Sequence, residues 1–135
     1  MPNSIFKDAI EALESGVPFA FGIISGVKGS TPQKQGAKAL FFEDGRIVGT
    51  MGGGCLEAEV RKRALQAIRS GEPARFDLVL DHDFGWDDGL ICGGKVTCIL
   101  LPKPVGALPV LRELIHRDQT RVWAIDAEFK VLLCE

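Results

Sequence analysis

Gly52-Gly53-Gly54-Cys55 brings together three residues without side chains and a thiol, with Glu57 two positions on. The helical periodicity that follows puts this run at a helix start. The first turn of a helix leaves about four backbone N–H groups unpaired and carries partial positive charge. Glycine lets an anion approach those groups without steric clash, and phosphate suits the geometry. A tight structural turn is the competing reading. No G-K-[ST] follows, so this is not a Walker A loop, and the spacing is not that of a dinucleotide fingerprint. A thiol at position 55 would be acidified by the helix start, favouring the thiolate that meets metals or sulfur species.

Two further loops share this character. Gly29-Ser30-Thr31-Pro32 offers bare backbone and two hydroxyls, with Lys28, Lys34 and Lys38 around it. That set suits a phosphate or another anion, and equally a solvated turn. Cys92-Gly93-Gly94 precedes an apolar run, and Cys92 could face the same cleft as Cys55. The acidic loop 81–89, DHDFGWDDG, fails the EF-hand register, because Gly85 and Trp86 take the wrong places and no glutamate closes it. A solvated loop is the reading there. His82 and His116 lie in unrelated contexts, and no acid–base pair stands out.

The elements around these loops follow from periodicity. Phe6, Ala9, Ile10 and Leu13 mark an amphipathic helix over 4–15, ended by Gly16 and Pro18. Residues 19–27 read as a buried strand. Strands at 37–42 and 46–51 flank Asp44-Gly45, a strong hairpin signal. Leu56, Val60, Ala64, Ala67 and Ile68 carry a helix to Ser70-Gly71. Strands follow at 75–80 and 95–101, a helix at 108–117, and strands at 121–126 and 129–134, the last pair turning at Ala127-Glu128. The fold expected is α+β: a layered domain with a mixed sheet, one clear hairpin and about three helices.

The 135 residues suit one domain, 1–135, and a net charge of −2 indicates no nucleic-acid partner. No run is long and apolar enough to span a membrane, and the N-terminus lacks the apolar core of a signal peptide. A cytoplasmic protein with reduced thiols is expected. Cys98 alternates with Val96 and Leu100 on one strand face, so Cys98, like Cys134, reads as a small buried hydrophobe.

Taken jointly, GSTPQKQGAKALFFEDGRIVGTMGGGCLEAEV followed by CGGKVTCILLP resembles the XdhC/CoxI family over roughly residues 17–101. The pieces are a GS-x-P loop, a G-A-K segment, an acidic-Gly hairpin, G-x-x-GGG-C-x-E and C-GG before a strand. The resemblance implies an accessory protein, more a chaperone than an enzyme, that binds molybdenum cofactor. It would protect, sulfurate or insert that cofactor into a molybdenum hydroxylase client such as xanthine dehydrogenase. It implies cofactor binding by Gly29, Ser30, Thr31, Pro32, Lys38, Gly52, Gly53, Gly54, Cys55, Glu57, Cys92, Gly93 and Gly94. Cys55 and Cys92 would meet the cofactor's molybdenum. The partners that go with it are a cysteine desulfurase, a separate Rossmann-domain chain in place of the C-terminal domain of longer members, and a second copy of the chain. Three residues depart from the family pattern: Gln33 stands where Arg is frequent, Ala39 where Met is frequent, and Leu101 where Glu is frequent. An interaction domain that has lost the cofactor, or an enzyme acting on the cofactor or a nucleotide, are the alternatives.

Overall fold

A computed structural model of the chain describes residues 4–29, 34–52, 54–79, 94–116 and 122–134. Helix α1, Ser4–Ser15, ends in a Schellman motif: Val17 N–H donates to Ala12 O at 3.0 Å and Gly16 N–H to Leu13 O at 3.3 Å, with Gly16 left-handed at φ +72°. Strand β1 (Phe19–Lys28) then runs antiparallel to β2 (Lys38–Phe42), which turns into β3 (Ile47–Gly49). The Asp44-Gly45 hairpin closes through a bond from Phe42 N–H to Arg46 O at 2.9 Å, with Gly45 left-handed. The loop is thus three residues long, the geometry that needs a left-handed third position.

Helix α2 (Gly54–Ser70) carries the chain from the β3 edge of the sheet to β4 (Ala74–Val79) at the other. Strand β5 (Lys95–Pro102) inserts between β1 and β4, giving the order β3-β2-β1-β5-β4. A short 3-10 turn leads into α3 (Leu108–His116), followed by a second hairpin of β6 (Val122–Ile125) and β7 (Val131–Cys134). Among the described residues, three helices and a five-stranded sheet make the α+β domain expected. Every strand pairing among the described residues is antiparallel, however, where a mixture of directions was expected. The reason is that α2 returns the chain to the far edge of the sheet, so the two strands it joins never become neighbours.

Both faces of the sheet are covered. On one, Leu56, Val60, Ala64 and Ala67 of α2 pack on Ala20, Ile24, Phe41, Val96, Cys98 and Leu100. On the other, α1, α3 and the β6–β7 hairpin cover Phe19, Phe21, Leu40, Phe42, Ile99 and Leu101. The alternation of strand side chains therefore separates two cores across one sheet. Ala39 is wholly buried in the first core and Leu101 lies in the second.

Candidate functional site at one rim of the sheet

Antiparallel pairing decides where the three glycine-bearing loops emerge. Lys28 pairs with Lys95, Val79 with Lys95, Ile23 with Lys38, and Ala39 with Gly49. The end of β1, the start of β2, the end of β3, the end of β4 and the start of β5 thus share one rim. Gly29, Gly52 and Gly94 all lie just beyond strand ends at that rim. They do not lie at one height, because β1 runs five residues past its last pairing with β2 at Ile23, roughly 16 Å of strand. Gly29 and Gly94 flank the projecting β1–β5 pair, whereas Gly52 follows the shorter β2–β3 hairpin.

The passage from β3 into α2 is held by contacts that local sequence patterns did not reveal. The Glu57 Oε2 oxygen accepts a hydrogen bond from Met51 N–H at 3.0 Å and lies 3.3 Å from the Thr50 hydroxyl, which donates to it. Gly52 N–H donates in turn to the Thr50 hydroxyl oxygen at 3.0 Å. Met51 itself is wholly buried. Its methyl group fits over Gly22 of β1, where a Cβ would come within 3.0 Å of it. Glu57 is therefore a positioning residue for the loop, as well as an acidic group beside a helix start where negative charge is favoured. The amides of Met51 and Gly52, two groups an anion could have used, are already engaged.

Gly49, just before the triplet, has a more crowded backbone than Gly22, Gly45 or Gly54. Its φ is +85°, and a Cβ there would lie 2.5 Å from the Lys38 carbonyl oxygen and 3.1 Å from a methyl of Ile5. Gly54 differs. It too is left-handed, at φ +64°, but a Cβ there would meet none of the described atoms within 4 Å. Among the described residues the helix start at Gly54 is thus bare and open, the condition that close approach by a ligand requires.

Lys38 departs from the constellation drawn from sequence. Its backbone carbonyl accepts a hydrogen bond from Thr50 N–H at 3.3 Å, next to the triplet. Its side chain, opposite in parity to Ala39, emerges on the other face of the sheet from α2. There Nζ donates to Gly36 O at 2.8 Å and lies 5.8 Å from the centre of the Phe6 ring. Burial lowers its pKa below the ordinary lysine value. The half-buried ammonium lines a cleft of about 300 Å³ with Ile23, Ser25, Ile99, Trp123 and Ile125. Sequence offered no sign of this cleft, since β6 and β2 are distant in the chain.

The remaining members divide plainly. Ser30, Thr31, Pro32, Gly53, Cys92 and Gly93 lie outside the described residues, as do the acidic loop 81–89 and the side chains of Cys55, His116 and Cys134. No group of three His, Cys, Asp or Glu side chains able to hold a metal occurs among the described residues. Cys98 is wholly buried in the α2-side core, as its strand position predicts. Burial, with a smaller contribution from Asp77 and an opposing one from Arg63, pushes its thiol up to about 11. It is a packing residue with no thiolate at neutral pH. No described helix is long and apolar enough to cross a membrane.

This α+β domain is a known class. Its fold matches the crystal structure of a xanthine dehydrogenase from Bacillus halodurans with a TM-score of 0.70 and 28% identity, over 92% of this chain and 40% of that one. The chain belongs to the XdhC and CoxI family, whose pattern matches residues 12–81. It is 30% identical to the molybdenum cofactor insertion chaperone PaoD of Escherichia coli, over 98% of this chain and 42% of PaoD. It is 33% identical to a probable xanthine dehydrogenase subunit of Bacillus subtilis, over 71% of this chain and 28% of that protein. An uncharacterised Escherichia coli protein, YqeB, is 35% identical over 72% of this chain and 18% of its own length. The chain thus spans less than half the length of each of these relatives.

Proposed function

We propose that this chain binds molybdenum cofactor and assists its protection, sulfuration or insertion into a molybdenum hydroxylase client. The observation that carries the reading is the shared rim, where strands leading to or from the family's three motif segments end on the same side of the sheet. The likeness to PaoD along almost the whole chain supports it. The open, left-handed backbone at Gly54 fits a group with a terminal phosphate. Gly29, Ser30, Thr31, Pro32 and the backbone at Gly53 and Gly54 would hold that phosphate. Cys55 and Cys92, beside Gly93 and Gly94, would face the metal end. The cofactor, when bound, supplies a redox-active molybdenum centre with a sulfur ligand. The protein's own part is to grip, exclude water and release, with no catalytic residue assigned. A cytoplasmic location, a cysteine desulfurase, a Rossmann-type partner chain and self-association belong to the same proposal.

The test is co-elution. The purified chain is incubated with molybdenum cofactor, passed through gel filtration and assayed for molybdenum and pterin. Both should co-elute with the protein. Cys55→Ser or Cys92→Ser should lower retention while leaving the melting temperature nearly unchanged. Absence of both from the wild-type peak would overturn the reading. The engagement of the Met51 and Gly52 amides favours a second reading, an interaction domain that no longer holds the cofactor. Capture of a hydroxylase chain by protein free of pterin would establish it.

A further inference from the structure

The cleft on the face of the sheet away from α2 has no part in the proposal above. Its walls come from four separate places: Ile23 and Ser25 on β1, Gln35 just before β2 and Lys38 at its start, Ile99 on β5, and Trp123 and Ile125 on β6. The floor is rigid. Ile99 is buried in the second core, and the indole of Trp123 stands edge-on to Phe6 and Phe21, each ring 5.9 Å away. The Ser25 hydroxyl is fixed by donating to the Thr97 carbonyl at 3.3 Å. One cation lies in this apolar setting, the Lys38 ammonium. It carries three N–H donors, and among the described residues a single one of them is met, by the Gly36 carbonyl. Among the described residues no carboxylate lies within ion-pairing distance of it. A half-buried charge that lacks a counter-ion is costly, and an incoming anion would offset that cost.

We propose that this cleft is a binding site for a small organic anion with a flat apolar body. The body packs between Trp123 and the isoleucines, and the acidic group accepts hydrogen bonds from Lys38 Nζ. The volume, about 300 Å³, is at the small end for ligand sites and matches a single substituted ring rather than a dinucleotide. Both features are needed. Inorganic phosphate satisfies the ammonium but leaves the apolar walls wet. A neutral ring dries the walls but leaves the ammonium unpaired.

Phenyl phosphate is a suitable probe, with inorganic phosphate and phenol as the two half-ligands. Titration is followed by NMR on protein labelled at isoleucine methyl groups and indole N–H groups, with Trp86→Phe leaving Trp123 as the reporter. Saturable shifts are expected at Ile23, Ile125 and the Trp123 indole, at least tenfold tighter for phenyl phosphate than for either half-ligand. Lys38→Met should weaken phenyl phosphate at least tenfold, and Lys38→Arg should retain most of the affinity. Unchanged binding to a folded Lys38→Met protein would overturn the proposal. If that variant does not fold, the wild-type shifts decide: their absence, or shifts confined to isoleucine methyls outside the cleft such as Ile47 and Ile68, would equally overturn it. Because the readout contains no molybdenum and no pterin, its outcome is independent of the co-elution test.

Discussion

Gly49 offers the sharpest test of how the β3–α2 passage is built. Replacing it with alanine adds one methyl group at a left-handed position, φ +85°. Left-handed backbone costs a non-glycine residue roughly 1–2 kcal/mol. The methyl would also stand 2.5 Å from the Lys38 carbonyl oxygen, closer than real Cβ atoms come. That oxygen cannot yield cheaply, because it belongs to backbone paired in the sheet and accepts the Thr50 N–H. Crowding of this kind costs roughly 1–3 kcal/mol more. Gly16 is the internal control. It is left-handed as well, at φ +72°, but a Cβ there meets nothing described within 4 Å. Gly16→Ala should therefore show the conformational cost alone. For a chain of this size each kcal/mol moves the melting temperature by roughly 3–6 °C. Gly16→Ala should melt a few degrees below wild type, and Gly49→Ala about 10 °C or more below it, by circular dichroism. Equal shifts for the two variants would refute the claim that close backbone approach, rather than φ alone, makes Gly49 necessary.

The other predictions concern the Glu57 network and the buried thiol. Glu57→Ala should destabilise by about 1–2 kcal/mol and speed hydrogen exchange at Met51 and Gly52, whereas Glu57→Gln, which keeps an acceptor, should preserve most of the protection. If the two variants exchange alike, the carboxylate does not hold the loop. Cys98→Ser should cost about 1–3 kcal/mol in denaturant unfolding, because an unpaired hydroxyl replaces a thiol in the core; a silent substitution would show the site to be polar. The folded thiol titrates near 11 and an unperturbed one near 9.0, so its contribution is fully present below about pH 9 and is lost as the pH rises toward 11. Between about pH 8 and about pH 10.5 the wild type should therefore lose about 2 kcal/mol more than Cys98→Ala, and parallel curves would contradict the raised value.

Local signals carried much of the fold. The 4–15 helix stops at Gly16 because a left-handed C-terminal cap needs a residue without a side chain, and α2 stops at Gly71, whose N–H bonds back to Ala67 O at 2.8 Å, for the same reason. Asp44-Gly45 marks its hairpin because Gly45 must be left-handed. The second hairpin is harder to read, since Phe129 takes the corresponding left-handed place at φ +64° without glycine. Strand alternation at Val96, Cys98 and Leu100 was enough to bury the thiol. These outcomes depend on residues a few positions apart, whose periods and caps are written in the chain itself.

Other features depend on which elements meet, and no local pattern encodes that. Alternation puts Lys38 and Ala39 on opposite sides of β2, but only the packing of α2 on one face and α1 with β6–β7 on the other decides which side faces what. Hence Lys38, grouped with the glycine loops in sequence, extends its ammonium toward Phe6 and Trp123 instead. Glu57 looked like a ligand group because it follows a glycine triplet. Folding turns it back to Met51 and Thr50, six and seven residues earlier, at a spacing that matches no standard helix cap. Gly22 and Gly49 are ordinary glycines until Met51, from the β3–α2 passage, and the Lys38 carbonyl, from β2, arrive beside them. Periodicity and capping determined the elements; the shared rim, the two separate cores and the cleft across the sheet arise from antiparallel pairing between distant segments, where the burial of one strand is set by its neighbours.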